Sequence, residues 1–179
     1  MNLKGIKNIV FDLGGVILTL NRNEAVRRFL EAGLSNAEDL LDPYHQKGIF
    51  LELEEGKISS SDFYEAVRNE AGTFIEDKII DYGWMGFIAD LPEYKLRMLE
   101  DLRERGYKLY LLSNTNPIIM KWAMSPDFSP SGKPLQDYFD KLYLSYQMGM
   151  VKPNPKIFEE MIKDSGMIPS ETLFIDDGA

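Results

Sequence analysis

Three short apolar runs in this sequence end in residues that could bind a metal ion or an anion. They end, in chain order, at Asp12, at Ser113 and Asn114, and at Asp176 and Asp177. An apolar run that ends in a polar side chain is typical of a buried strand that delivers this side chain to the carboxyl edge of an open α/β sheet. For Asp12 alone a surface turn is an equally good interpretation, because strand–Asp–Gly patterns are common.

Together these residues suit the transfer of a phosphoryl group. Asp12, Asp176 and Asp177 would lie close together, and neighbouring carboxylates raise one another's pKa. A bound Mg²⁺ ion relieves their repulsion. Ser113 offers a hydroxyl, and Lys152 offers a fixed positive charge after the third predicted strand. In such a site an aspartate attacks phosphorus while the metal ion and the lysine neutralise the phosphoryl oxygens.

The elements that position these residues alternate between strands and helices in the second half of the chain. Hydrophobic periodicity predicts strands at 6–11, 107–112, 142–144 and 172–175, and helices at 92–105, 118–124 and 154–165. Residues 125–134 are rich in Ser, Pro and Gly and are predicted to form an irregular loop. This alternation predicts a parallel sheet.

A helical block separates the first strand from the rest. Helices are predicted at 23–33, 36–42, 44–54, after the N-cap region Ser59–Asp62, and at 75–88. This block is too long for a simple crossover. We therefore predict an α/β fold with a Rossmann-like core at residues 1–18 and 91–179 and an inserted helical cap at 19–90.

Composition limits the functions that remain. The 179 residues suffice for one domain, or for one domain with an insertion, and the net charge of −9 disfavours binding to nucleic acid or to an anionic membrane. The absence of cysteine excludes disulfides, zinc thiolates and a thiol nucleophile. With no signal peptide and no apolar run near ~20 residues, we expect a cytoplasmic protein. We further expect a monomer or homodimer, and the residues suited to phosphoryl transfer predict a small phosphorylated substrate.

Four ordered motifs resemble those of the haloacid dehalogenase superfamily, in the branch with a helical cap after the first strand. The motifs are Val10–Val16, Leu111–Asn114, Val151–Pro153 and Phe174–Asp177. Three further stretches are typical of the sugar-phosphatase-like subgroup, namely Glu54–Ile58, Tyr138–Asp140 and Ser145-Tyr146.

The resemblance implies a Mg²⁺-dependent phosphatase that forms an aspartyl-phosphate on Asp12. It also implies that Ser113 and Lys152 hold the phosphoryl group, assisted by Asn114. The implied Mg²⁺ ligands are Asp12, the Gly14 carbonyl, Asp176 and, directly or through water, Asp177.

Gly14 departs from the family pattern, in which phosphatases usually carry a second aspartate two residues after the nucleophile. That aspartate is a general acid and base, and general acid catalysis typically contributes about 10²–10⁴-fold. Water, the substrate or a cap residue must then protonate the leaving group. A phosphate-binding or regulatory protein with little turnover is the alternative function. A phosphomutase is a weaker one, since it normally needs the missing acid.

Several residues have structural interpretations beside the functional ones. Asp177 could be the N-cap of the next segment, Ser113 could cap the helix near residue 118, and Asn114 could form a turn. Asn21 and Arg22 could reach the non-phosphate part of the substrate, although a solvated arginine is almost equally consistent with the sequence.

The predicted cap raises three further expectations. His45, the only histidine, is a candidate for the missing acid, although a lone histidine in a helical segment is more often structural. Trp84 and Trp122 are expected in packing, and the acidic run Glu52–Glu55 is expected to be a solvated face before a turn at Gly56. Because the chain stops at Ala179, directly after the fourth motif, we also expect that it is a fragment or lacks later elements.

Overall fold

A computed structural model describes residues 4–42 and 46–178. Six strands, numbered along the chain, are β1 (Asn8–Phe11), β2 (Thr19–Leu20), β3 (Ile88–Asp90), β4 (Lys108–Ser113), β5 (Lys141–Leu144) and β6 (Thr172–Ile175). Four of them form a parallel sheet in the order β5-β4-β1-β6, and β2 and β3 form a separate antiparallel pair. The predicted α/β fold with a parallel sheet is confirmed.

Nine helices are present in the described part of the chain. They are α1 (Arg22–Glu31), α2 (Ala37–Leu40), α3 (Gly48–Glu54), α4 (Ser60–Ala71), α5 (Asp77–Met85), α6 (Glu93–Glu104), α7 (Pro117–Ala123), α8 (Ser145–Met148) and α9 (Pro155–Ser165). Each predicted helix is found with shifted ends, and the start of the one predicted at 44–54 lies outside the described residues. No described helix has the length and apolarity needed to span a bilayer.

Both faces of the sheet are covered, as a buried parallel sheet requires. All four residues of β1 are buried. Ile9 and Phe11 point to one face and pack with apolar residues of α6 and α7, whereas Val10 points to the other and packs with α9. The central strand is therefore held rigidly, and so is the residue that follows it.

A second apolar cluster lies in the helices between β2 and β3. Its centre is aromatic: Phe50 makes ring contacts with Phe29, Phe63 and Trp84 at centroid distances of 5.1, 5.0 and 5.1 Å. Ile119 of α7 also belongs to this cluster, so the helical block packs directly on the sheet-bearing part. The division into a core and a cap at 19–90 stays a prediction.

The structure differs from the sequence-based expectation in three places. The block at 19–90 is not entirely helical, because β2 and β3 pair where the chain enters and leaves it. The expected irregular loop at 125–134 contains a 3₁₀ turn, Pro126–Phe128, which buries Phe128. The short helix α8 was not predicted, since four residues are too few to show helical periodicity.

Candidate functional site

The register of the parallel sheet brings the ends of three apolar runs together. Phe11 of β1 is level with Leu111 of β4 and with Ile175 of β6. The Asp12 amide continues the ladder by donating a hydrogen bond to the Ile175 carbonyl at 2.9 Å. Asp12 and Asp176 therefore leave the sheet side by side.

Asp12, Asp176 and Asp177 form a compact carboxylate cluster. One carboxylate oxygen from each residue lies within 4.8 Å of the others. Lys152 joins this cluster, because its Nζ lies 2.9 Å from Oδ2 of Asp12 and 2.6 Å from Oδ2 of Asp176. The side chains of Lys152, Asp12 and Asp176 are each less than one-fifth exposed, so water screens this charge arrangement only weakly.

Burial raises the pKa of the Asp12 carboxyl above its ordinary value. The Lys152 ammonium opposes this shift by its charge and its hydrogen bond, and the nearby Asp176 carboxylate adds to it. An attacking carboxylate must be ionised. The lysine, and any bound cation, would therefore maintain the reactive form of Asp12.

The donor set of this cluster fits a hard divalent cation. Three carboxylates against one lysine leave an excess of negative charge, and oxygen donors are the ligands that Mg²⁺ prefers. Gly14 lies beside the cluster and lines the adjoining cavity.

Gly15 has a role that the sequence did not reveal. Its φ is +70°, and a Cβ atom added there would lie 1.7 Å from Oδ2 of Asp177. Only glycine leaves room for the Asp177 carboxylate in this position. Two consecutive glycines after a strand indicate a turn, but no local signal shows which distant residue packs on them.

Asn114 and Ser145 hold the surrounding loops in place. The Asn114 side chain accepts a hydrogen bond from the Lys152 amide at 2.7 Å and donates one to the Lys152 carbonyl at 3.0 Å. Both polar atoms of Asn114 thus position the backbone of the lysine. The buried Ser145 hydroxyl accepts from the Thr115 amide and donates to the Thr115 carbonyl, both at 2.9 Å, so that α8 is tied to the end of β4.

Ser113 is the last residue of β4, one residue later than the predicted strand end. Its hydroxyl lies 3.4 Å from the Asn114 carbonyl oxygen, a distance at which a hydrogen bond is weak. The alternative role as a helix cap is wrong, because the Asn116 side chain caps α7 by accepting from the amides of Ile118 and Ile119. The Ser113 hydroxyl therefore keeps its hydrogen-bonding capacity for a ligand.

A cavity of about 640 Å³ opens beside the cluster, between the sheet edge and the helical block. Its polar lining includes Ser113, Asn114 and Lys152, and much of its wall is apolar, including Leu18, Leu20, Leu51, Trp84, Phe87, Ile88 and Ile119. Such a volume and lining are typical of small-molecule sites.

Two lining residues carry buried polar atoms that find no hydrogen-bond partner among residues 4–42 and 46–178. These atoms are Nε1 of Trp84 and Oε1 of Gln46. An unpaired buried polar atom costs free energy, so each is a potential partner for a bound ligand.

Arg22 lines the same cavity, but each of its three guanidinium nitrogens already donates one hydrogen bond within the helical block. It donates to the Leu41 carbonyl, and to the Glu38 carboxylate and carbonyl at 2.8 and 2.7 Å. The interpretation as a solvated arginine is wrong, since its side chain is 19% exposed. The preceding residue, Asn21, caps α1 by accepting from the Glu24 amide at 3.1 Å.

The expectation of a solvated face at Glu52–Glu55 is wrong for its two central residues. Leu53 is fully buried and Glu54 is only 8% exposed, and Glu54 lines the cavity. The spacing of Phe50, Leu53 and Glu54 along α3 puts all three on one face, which is the signal that could have found Glu54. His45, the residue that the sequence suggested for the missing acid, lies outside the described residues.

The structure thus combines a parallel α/β sheet, carboxylates and a lysine at one edge of this sheet, and a helical block above them. This combination defines a class of metal-assisted hydrolases and transferases. The sequence profile of the haloacid dehalogenase-like hydrolases matches residues 6–179. The chain belongs to this family.

Individual relatives agree with this assignment. The chain is 53% identical to the D-ribitol-5-phosphate phosphatase of Bacteroides thetaiotaomicron over 174 aligned residues. The alignment covers 97% of this chain and 84% of the relative. A predicted HAD-like family hydrolase from Porphyromonas gingivalis has a similar structure, with a TM-score of 0.92, 48% identity, and coverage of 97% and 82%. A HAD family enzyme from B. thetaiotaomicron, in complex with magnesium and inorganic phosphate, has a TM-score of 0.87, 43% identity, and coverage of 97% and 85%.

Proposed function

We propose that this protein is a Mg²⁺-dependent phosphatase that hydrolyses a small phosphorylated metabolite through an aspartyl-phosphate on Asp12. The observation that carries the proposal is the position of Lys152 Nζ, 2.9 Å from Asp12 and 2.6 Å from Asp176, beside an acidic cluster at the sheet edge. The similarity to a named sugar-alcohol phosphatase and to a structure with magnesium and phosphate supports both the reaction and the cofactor.

In this proposal Asp12, the Gly14 carbonyl, Asp176 and Asp177 hold the Mg²⁺ ion. When bound, the ion supplies positive charge that neutralises the phosphoryl oxygens and keeps Asp12 ionised. The fit rests on the three carboxylate oxygens within 4.8 Å of one another.

The reaction then proceeds in two displacements. The Asp12 carboxylate attacks phosphorus, and the bond to the leaving oxygen breaks with its electron pair on that oxygen, which takes up a proton. The Ser113 hydroxyl and the Lys152 ammonium hold the phosphoryl oxygens, while Asn114 keeps the backbone of Lys152 in place. Water then attacks the aspartyl-phosphate, loses a proton, and releases phosphate and the free carboxylate.

We propose a sugar phosphate or sugar-alcohol phosphate as the substrate. A cavity of about 640 Å³ accommodates a pentitol phosphate, and hydroxyl groups would satisfy the unpaired Trp84 N–H and Gln46 carbonyl. The named relative acts on D-ribitol 5-phosphate, which has this chemistry. Arg22 would contribute to this end of the site through its position in the cavity wall.

We also propose a cytoplasmic location, a monomeric or homodimeric state, and no nucleic-acid partner. The net charge of −9 supports the last of these, because nucleic-acid binding needs clustered positive charge.

Phosphate release tests the proposed activity. With Mg²⁺ present, we expect turnover of p-nitrophenyl phosphate and of D-ribitol 5-phosphate, and we expect EDTA to abolish both. Asp12→Asn should reduce kcat at least about 10³-fold, because it removes the nucleophile. Asp101→Asn, an exposed substitution on α6, is the matched control and should retain wild-type activity. Full activity of Asp12→Asn would refute the mechanism, and phosphate binding without turnover would favour the regulatory alternative.

A further inference from the structure

Glu54 is a buried acid whose carboxyl group has no partner in the described structure. It is 8% exposed and lines the cavity, and its carboxyl group makes no hydrogen bond or ion pair with any residue in the described part of the chain. Its neighbours behave differently: Glu52 is exposed, and Glu55 forms an ion pair with Lys57 at 2.6 Å. An unpaired buried carboxyl is expensive, so it calls for a functional explanation.

The end of α3 is held against the core, which fixes where Glu54 can point. Phe50 and Leu53 anchor this helix in the aromatic cluster. Gly56, directly after α3, has a φ of +66°, and a Cβ there would lie 2.0 Å from the Tyr146 carbonyl oxygen. Tyr146 belongs to α8, whose Ser145 is tied to the end of β4. Glu54 is thus mounted over the sheet edge that carries Asp12.

The surroundings of this carboxyl favour its protonated form. Burial raises the pKa of Glu54 to about 8, and the charge of Asp12 adds to the shift. No basic group in the described cavity wall offsets it. Lys152 is engaged by Asp12 and Asp176, and Arg22 is engaged by α2.

Asp42, the other acid in the cavity wall, forms an ion pair with Lys47 at 2.9 Å. The remaining charges near the end of α3 are the paired Glu55 and Lys57, and α8 contributes the Tyr146 hydroxyl, which accepts from Gln147. Glu54 is therefore the unpaired acid of the described cavity wall, and it lies close enough to Asp12 to be influenced by its charge.

We propose that Glu54 is the proton donor to the leaving oxygen, in the role that the missing side chain at Gly14 cannot fill. The inference rests on the proposed phosphatase function. As Asp12 attacks phosphorus, the leaving oxygen receives the bond's electron pair and takes the Glu54 proton, which yields the free alcohol and a Glu54 carboxylate. In the second step this carboxylate takes a proton from the attacking water as the bond between Asp12 and phosphorus breaks, so that phosphate is released and both Asp12 and protonated Glu54 are regenerated.

The test compares Glu54→Gln with wild type on two substrates of different leaving-group quality. D-Ribitol 5-phosphate releases an alkoxide that needs a proton, whereas 2,4-dinitrophenyl phosphate releases a stable anion. We expect kcat/KM for the alkyl phosphate, which reports the steps up to release of the leaving group, to fall about 10²–10⁴-fold, the usual contribution of a general acid, and kcat/KM for the aryl phosphate to change less than about threefold. Retained aryl activity also shows that the variant is folded.

Glu55→Gln is the matched control, because it removes one carboxylate from the next position and should leave both rates unchanged. Equal losses of kcat/KM on both substrates, or no loss of kcat/KM on the alkyl phosphate, would overturn the proposal. Failure of the wild type to hydrolyse either ester would instead refute the proposed function.

The pH profile gives a second readout that a purely structural role would not change. For the alkyl phosphate, wild-type kcat/KM should decline as the pH rises and the donor of the free enzyme loses its proton. This alkaline decline should be absent in Glu54→Gln, and its persistence in the variant would contradict the assignment.

Discussion

At the scale of single residues, Gly15 decides where the third carboxylate of the cluster can lie. A methyl group at this position would meet Oδ2 of Asp177 at 1.7 Å, so alanine must displace that side chain or the turn itself. We expect Gly15→Ala to weaken Mg²⁺ binding about 10–100-fold, as typical for residues that orient metal ligands. Calorimetric titration with Mg²⁺ measures this effect without relying on turnover.

Gly149→Ala is a control with the same backbone cost. Gly149 also has a φ of +70°, but a Cβ there meets nothing within 4 Å. It should therefore share the strain of a left-handed alanine while it keeps wild-type Mg²⁺ affinity. Similar losses of affinity in both variants would show that strain, and not contact with Asp177, is responsible.

At the scale of elements, the contact of α3 with α8 connects the helical block to the catalytic edge. Alanine at position 56 would meet the Tyr146 carbonyl oxygen at 2.0 Å, which is backbone and cannot rotate away. We expect Gly56→Ala to shift the end of α3 and lower kcat/KM for an alkyl phosphate by up to about 10²-fold, since small misplacements of positioned groups are costly. Steady-state kinetics measures this loss.

Gly72→Ala is the matched control for this contact. Gly72 ends α4 with the same φ of +66°, and its Cβ would have no neighbour within 4 Å. Wild-type kinetics in Gly72→Ala and a loss in Gly56→Ala would attribute the effect to the contact between α3 and α8. Mg²⁺ affinity should stay unchanged in both, because all four proposed metal ligands lie outside α3 and α4. An unaltered Gly56→Ala enzyme would contradict this view of α3.

At the scale of the whole molecule, the buried Glu54 links stability to pH. Its pKa is about 8 in the folded protein against an ordinary value of 4.5, so the folded state keeps a proton that the unfolded chain releases. The contribution of this bound proton to the free energy of unfolding is therefore fully present below about pH 4.5 and is lost as the pH rises through about 8. Burial also raises the pKa of Asp12, which acts in the same direction.

We therefore expect Glu54→Gln to flatten the dependence of Tm on pH between about 4.5 and 8, the two pKa values of Glu54. The measurement is thermal unfolding in EDTA across this range, with Glu55→Gln as the control that keeps the wild-type slope. Indistinguishable slopes for wild type and Glu54→Gln would mean that Glu54 ionises normally in the folded protein.

The amino-acid sequence by itself determined the strand ends and the residues that follow them. Asp12, Ser113 and Asp176 were identified because an apolar run ending in a polar side chain is a local feature, and parallel strands carry their carboxyl ends to one edge. The order of strands and helices, the helical block after β1 and the lysine at position 152 were also readable from short segments.

Only the tertiary structure decided which distant residues meet and thereby position the side chains of the site. Gly15 is constrained by Asp177 and Gly56 by Tyr146, and the pKa of Glu54 is raised by burial and by the charge of Asp12. The same acidic run that suggested a solvated face hides a buried carboxyl, because burial depends on which side of α3 meets the sheet edge. Such contacts are set by packing between segments far apart in the chain, and local periodicity carries no information about their partners.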